Sequence, residues 1–343
     1  MDNALFLVLL VVVLGLVFEY VNGFHDAANA IATVVATRVL TPTQAVVMAG
    51  SLNLLGALTG VAVAKTVGSG IVDPRVVTQD LVVAALLAAI IWDLITWWLG
   101  LPTSSSHALI FSIIGASVAI HGFSVVIVPG LEKTSFGIVY SPAVAFLVGY
   151  LLMLTLYWVL RRTSYSLVQR FFGKAQILSS AYMAYSHGGN DGQKTMGVIA
   201  LALAAYGQDL FGTGIVPTGS GFFIPDWVKY VCAIAIGVGT MTGGWRIMKT
   251  MGTRITNLTP VQGFAAETTA GTVIEIATRF GIPISTTHAI SGAILGVGST
   301  KRLSAVRWGI AGRIVTAWVL TIPGCFLFGW MFAQLFRILG IHA

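Results

Sequence analysis

Gly100-Leu101-Pro102-Thr103-Ser104-Ser105-Ser106-His107-Ala108 and Gly281-Ile282-Pro283-Ile284-Ser285-Thr286-Thr287-His288-Ala289 are two copies of one pattern. In each, a glycine follows eight residues after the histidine, at Gly115 and Gly296. A Gly-aliphatic-Pro turn that feeds three hydroxyl side chains into an apolar run reads as a helix start with uncovered backbone N–H groups. The first N–H groups of a helix have no intrahelical partner, and the helix dipole is positive at the same end, so such a start suits an anion. Two starts of this kind in a strongly apolar chain point to a membrane carrier for an oxyanion, built from two related halves.

The composition agrees. Of 343 residues, 56% are hydrophobic and 9% are charged, with a mean hydropathy of +0.89. Soluble domains carry about 25% charged residues. Apolar stretches of bilayer-spanning length recur at 4–21, 43–64, 81–99, 143–160, 228–245 and 314–336. The expected fold class is an all-α polytopic membrane protein with roughly ten to twelve membrane segments. Met1-Asp2-Asn3 lacks the basic start of a cleaved signal, so the first helix is expected to be retained. Cys232 and Cys325 lie in apolar runs and read as small packing residues.

The net charge of +7 is clustered. Arg161, Arg162, Arg170 and Lys174 form one group, Arg246, Lys249 and Arg254 a second, and Lys301, Arg302, Arg307 and Arg313 a third. Stretches 121–139 and 207–226 are nearly free of basic residues. The positive-inside rule puts the three clusters in the cytoplasm and the two poor loops outside. Juxtamembrane placement accounts for the basic balance without nucleic acid.

Further internal similarity supports two repeats. Thr41-Pro42-Thr43-Gln44 recurs as Thr259-Pro260-Val261-Gln262, and Gly23 to Ala30 has an echo in Gly188 to Lys194. Segment 81–120 lies between loops poor in basic residues, and segment 260–300 lies between two basic clusters. As re-entrant hairpins they open to opposite sides and bring their tips together near the midplane, giving two inverted-topology repeats with broken helices. The expected division is a first half at 1–160, a short basic cytoplasmic loop at 161–174 and a second half at 175–343.

Ionisable residues inside membrane spans are costly and mark function. Asp26 and Asp191 fall in corresponding glycine-rich stretches, read as helix breaks, with Asn22 and Asn29 near the first and Asn190 beside the second. Carboxylate and amide oxygens at a break coordinate a small hard cation or hold a transferable proton. Glu267 is a further candidate for the coupling cation or proton. Its repeat position reads as Ala49, with Asn53 the nearest polar group in the first half. The anion is assigned to Ser104, Ser105, Ser106, Ser285, Thr286 and Thr287. Lys194 either meets the anion or offsets a carboxylate. His25, His107, His288, Gln44 and Gln262 are supporting residues, the two later histidines as donors to the hydroxyl loop or to a backbone carbonyl. Asp93 reads as a neighbour of the site and Glu19 as helix-end chemistry.

These residues resemble the inorganic phosphate transporter (PiT) family, which is marked by a duplicated Gly-Ala-Asn-Asp-type motif. Here the copies read Gly23-Phe24-His25-Asp26-Ala27-Ala28-Asn29-Ala30 and Gly188-Gly189-Asn190-Asp191-Gly192-Gln193-Lys194-Thr195-Met196-Gly197. Thr96-Trp97 through His107 and Phe264 through His288 are similar to that family as well. The resemblance implies secondary active uptake of phosphate, symport with Na+ or H+, and a place in the cytoplasmic membrane. It makes Asp26 and Asp191 the essential aspartates and the Ser/Thr trios the phosphate loops. His25 stands at the usual Asn position of the first motif. No cofactor is implied beyond the coupling ion, with Na+ at Asp26 and Asp191. The partners are phosphate, the ion and lipid, and a homodimer is compatible with the class. A sulfate permease of the same fold, a passive anion channel and an intramembrane Ser/His hydrolase are the competing readings. The hydrolase is disfavoured because each Ser and His are adjacent in sequence and lack a distinct orienting acid.

Overall fold

The computed structural model describes residues 3–207 and 222–341. The poorly basic stretch 207–226 lies largely outside the described residues. Twelve α-helices are described: α1 (Asn3–Ala36), α2 (Pro42–Ala57), α3 (Ala62–Gly70), α4 (Gln79–Leu99), α5 (Ser105–His121), α6 (Val128–Leu160), α7 (Tyr165–Tyr206), α8 (Asp226–Thr242), α9 (Trp245–Lys249), α10 (Pro260–Arg279), α11 (Thr286–Ser299) and α12 (Trp308–Ile338). A π-helical turn, Thr250–Arg254, continues α9. Helices α1, α4, α6 and α12 are each long and apolar enough to cross a membrane, and the bent pairs α2–α3 and α8–α9 pass together. The bends are 68° and 57°.

Six helices are repeated. α1 packs on α8 as α7 packs on α2, α4 on α5 as α10 on α11, and α5 on α12 as α11 on α6. Small contacts repeat too. The N–H of Ile127 donates to the carbonyl of Ile71 at 3.0 Å, and that of Arg307 to the carbonyl of Ile255 at 3.0 Å. Each fixes the start of a long helix, α6 or α12, against the end of a bent pair. One cavity joins Leu160 and Arg161 with Thr259 and Lys301, so hairpin α10–α11 opens where α6 ends. Another joins Ser69 and Asp73 with Ser124 and Ile127, so hairpin α4–α5 opens where α6 begins. The repeats are therefore inverted. The basic groups at Arg161 and Lys301 share one end, as the positive-inside reading requires.

Three local expectations change. First, α1 and α7 run unbroken through the Asp26 and Asp191 motifs; the breaks fall instead within the two bent pairs. The motif glycines serve close approach. A Cβ on Gly23 would lie 2.5 Å from the carbonyl oxygen of Ile236 in α8, and one on Gly188 would lie 2.1 Å from that of Asn53 in α2. Small residues that let backbones touch are a common means of packing helices in lipid.

Second, the two Thr-Pro-x-Gln motifs are not repeat mates. Both form capping boxes, but one opens α2 and the other opens α10, whose mate is α4. The chemistry of starting a helix recurs locally without common descent of the segment. Leu86, fourteen residues before Gly100 as Glu267 is before Gly281, is thus the counterpart of Glu267, in place of Ala49. Third, helix resumes at Tyr165, so the connection read as 161–174 is a tight turn. Likewise α6 already begins at Val128 within the stretch 121–139. Cys232 and Cys325 are buried and unpaired.

Candidate functional site

The two hairpin tips turn on glycines that adopt left-handed backbone, Gly100 at φ +67 and Gly281 at φ +62, a conformation with little steric cost only for glycine. Each tip is anchored by a threonine from the short limb of the other repeat's bent pair. Thr250 Oγ1 donates to the carbonyl of Gly100 at 2.9 Å, and Thr66 Oγ1 donates to that of Gly281 at 2.7 Å. The helices that follow are capped in the same way. Ser104 Oγ accepts from the N–H of His107 at 3.3 Å, and Ser285 Oγ from that of His288 at 3.2 Å. The Pro turn brings an extended residue to the N-cap, where a Ser oxygen covers one N–H of the first turn.

The two threonines of the second tip face the paired aspartates. Thr286 Oγ1 donates to Asp191 Oδ2 at 3.0 Å, and Thr287 Oγ1 reaches Asp26 Oδ2 at 3.5 Å. Asn29 Nδ2 donates to both hydroxyls, at 3.2 and 3.0 Å. From the first hairpin, Ser106 Oγ accepts from Lys194, which also bonds Asp191 and the carbonyl of Ile284. Ser105 Oγ is buried with no hydrogen-bond partner among the described residues. Asp26, Asp191, Lys194 and all six trio residues are at most 4% exposed, so the cluster is closed to both sides of the molecule.

His187, which sequence reading passed over, lies at the centre. Its Nε2 is 3.3 Å from Asp191 Oδ2 and 3.9 Å from Asp26 Oδ2, while its Nδ1 pairs with Asn53 Oδ1 at 2.8 Å. Asp26, His187 and Asp191 each offer one ligand atom, and these lie within 4.8 Å of one another, close enough to hold a cation together. Position i−4 from Asp191 on a helix was the available signal, since it shares that carboxylate's face. Asn53 therefore acts on the site through His187, and its amide donates to Thr240 at 2.8 Å. His25 Nδ1 meets Asp26 Oδ1 at 2.7 Å, and its Nε2 faces Thr96 Oγ1 at 3.1 Å.

Other expected members sit apart. Glu267 accepts from Thr33 and Ser179 and, at 3.1 Å, from Gln176 Nε2, forming a separate buried carboxylate between α1, α7 and α10. Thr33 is one helical turn beyond Asn29, so α1 links the two places. Asn190 ties α7 to the second hairpin through Thr278 Oγ1 at 2.8 Å and does not turn to Asp191. Asn22 is buried, with its Oδ1 unpartnered among the described residues. Gln44 and Gln262 complete the capping boxes and stay outside the cluster.

His107 and His288 pack ring against ring with centroids 4.6 Å apart, and His288 stacks on Trp318 at 3.8 Å. Trp318 Nε1 in turn donates to the carbonyl of Pro102 at 2.9 Å, fixing the first tip. His288 Nδ1 lies 3.5 Å from the carbonyl of Ile138. That carbonyl is four residues before Pro142, which has no N–H to give it. Glu19 accepts from Thr195 within the core, so it is not helix-end chemistry, and both oxygens of buried Asp93 lack hydrogen bonds among the described residues.

This geometry can be set beside known proteins. Residues 22–329 match the model of the phosphate transporter family. The chain belongs to that family. A relative from Rhizobium meliloti (strain 1021), described as a "Probable low-affinity inorganic phosphate transporter", is 48% identical over 330 residues, covering 95% of this chain and 96% of that one. A relative from Bacillus subtilis (strain 168) with the same description is 43% identical over 94% of this chain and 95% of its own length. Among solved structures, one described as "The sodium-dependent phosphate transporter" superposes with a TM-score of 0.85 and 26% identity, over 97% of this chain and 99% of that one. This member of the phosphate transporter family thus shares its multi-pass helical fold with a solved relative.

Proposed function

We propose that the protein carries inorganic phosphate across the cytoplasmic membrane by symport with a cation, sodium being the ion in the description of the solved relative. The observation that carries this reading is the convergence of both hairpin tips beside one pair of buried carboxylates: Thr286 and Thr287 of the second reach Asp191 and Asp26 directly, and Ser106 of the first is joined to Asp191 through Lys194. Hydrogen phosphate sits between the starts of α5 and α11, held by backbone N–H groups and by Ser105, Ser106, Thr286 and Thr287. Each helix start contributes roughly half a positive charge. Cations at the carboxylates remove the repulsion that would otherwise keep the anion out, so binding of ion and phosphate is linked. Phosphate also carries a proton that a carboxylate can accept, whereas sulfate at neutral pH has none to donate.

Labelled phosphate uptake into proteoliposomes under imposed sodium or proton gradients, with sulfate as competitor, tests the proposal. Concentrative uptake driven by sodium, lost in Asp26→Ala and Asp191→Ala proteins that still fold, is the expected result. Uptake driven by protons alone moves the coupling group to Glu267 or His25. Uptake that only equilibrates under either gradient removes the symport reading.

A further inference from the structure

Lys194 is a lysine in a place built like a cation site. It is 2% exposed, and its Nζ is surrounded by a carboxylate oxygen of Asp191, the hydroxyl of Ser106 and the backbone carbonyl of Ile284. A carboxylate, a hydroxyl and a carbonyl make the all-oxygen donor set that suits a small hard cation. The other oxygen of Asp191 is already engaged by Thr286 and His187.

Among the places where the two motifs differ, the one three residues after the aspartate bears on the charge. Lys194 follows Asp191 by three residues, and Asn29 follows Asp26 by three, so the two occupy equivalent places on α7 and α1. In the second repeat that place holds an ammonium. In the first it holds an amide, whose oxygen has no hydrogen-bond partner among the described residues. Asn22 Oδ1, one turn before Asp26 on the same face of α1, is also buried and unpartnered. Asp26 itself meets imidazoles and a hydroxyl at 3.5 Å, and no lysine or arginine among the described residues pairs with it. One half thus presents oxygen ligands awaiting a cation, and the other carries its own.

We propose that the Lys194 ammonium is a tethered cation, filling at Asp191 the place that a free coupling ion takes beside Asp26. It sets how many ions accompany each phosphate. A fixed positive charge next to Ser106 keeps the first-hairpin side of the anion site attractive before any ion arrives, and leaves ion dependence to the Asp26 half. This rests on the symport reading above, so its test includes a measurement that does not need transport.

The test compares wild type, Lys194→Asn and Lys194→Ala. Lys194→Asn gives the second half the amide that the first half carries at this place. The thermal midpoint of each purified protein is followed as sodium replaces choline at constant ionic strength, alongside phosphate uptake across sodium concentrations. The expected result is a sodium-dependent rise in midpoint for Lys194→Asn that exceeds that of wild type and disappears when Asp191→Asn is added. Uptake at low sodium falls by at least roughly tenfold, because a buried carboxylate left unpaired must first capture an ion, and recovers at high sodium with a steeper dependence. In Lys194→Ala, which removes the tether and leaves room for a small cation, ethylammonium raises the midpoint. The proposal is overturned if neither variant gains a response to sodium or ethylammonium, or if uptake falls by the same factor at every sodium concentration. Absence of concentrative uptake in wild type would instead remove the symport reading, while the midpoints still decide the role of Lys194.

Discussion

The substitutions Gly115→Ala and Gly296→Ala separate packing from helix propensity by sign. Each glycine lies eight residues after its tip histidine, on the helix that begins with the hydroxyl trio. A methyl carbon on Gly115 would sit 2.0 Å from the carbonyl oxygen of Phe326 in α12, and one on Gly296 would sit 2.1 Å from that of Phe146 in α6. The shortest comfortable contact between carbon and a carbonyl oxygen is about 3.3 Å, so each helix must retreat by more than about 1 Å. Both neighbours are backbone and have no rotamer with which to yield. Overpacking of this kind costs about 1–3 kcal/mol or more, against a gain of at most about 1 kcal/mol from replacing glycine by alanine in a helix. Both variants should lose stability and, because the trios move with their helices, transport. Gly312→Ala on α12 is the control: nothing lies within 4 Å of its Cβ position, so it should gain up to about 1 kcal/mol. Thermal midpoints of the detergent-solubilised proteins, with phosphate uptake beside them, read the effect. A Gly296→Ala protein as stable as Gly312→Ala would refute the close-approach reasoning.

Three other sets of substitutions probe the site. Ser104→Ala and Ser285→Ala remove matching caps and should each cost about 1 kcal/mol; thermal denaturation should show the two losses agreeing within about 0.5 kcal/mol, and a gap well beyond that breaks the twofold equivalence. Glu267→Leu leaves the donors of Thr33, Ser179 and Gln176 without an acceptor, at about 1–3 kcal/mol per unsatisfied group, so it should express poorly, while Glu267→Gln should fold and lose uptake; a fully active Gln protein rules the charge out of coupling. His187→Phe removes the imidazole between the aspartates, and uptake should fall by more than roughly tenfold, as for a broken buried charged pair, with Asn53→Ala showing a smaller loss in the same assay.

Much of the site was legible because it is written twice. The Pro-turn trios and the Asp motifs stand out in the chain as local patterns, and the fold brings Thr286 and Thr287 to Asp191 and Asp26, with Ser106 joined to Asp191 through Lys194. His187 stayed hidden because its counterpart four residues before Asp26 is Asn22, so no repeated histidine raises it above a single buried one. The Thr-Pro-x-Gln pair misled for the opposite reason: a capping box is a local solution that any helix start can adopt, so its recurrence says nothing about descent.

Taken alone, the sequence determined a multi-pass helical chain with two inverted halves, helix starts rich in hydroxyls and carboxylates within apolar spans. Those follow from composition, periodic hydropathy and short motifs, all properties of neighbouring residues. The tertiary structure decided where the helices bend, that α1 and α7 run straight through their glycines, and that Lys194 turns to Asp191, Ser106 and Ile284. Glycine permits both a break and a close crossing, and only the helix packed against it selects between them. A buried ammonium goes to whichever oxygens the fold brings within its reach, and those of Ser106 and Ile284 come from hairpins 88 and 90 positions away along the chain.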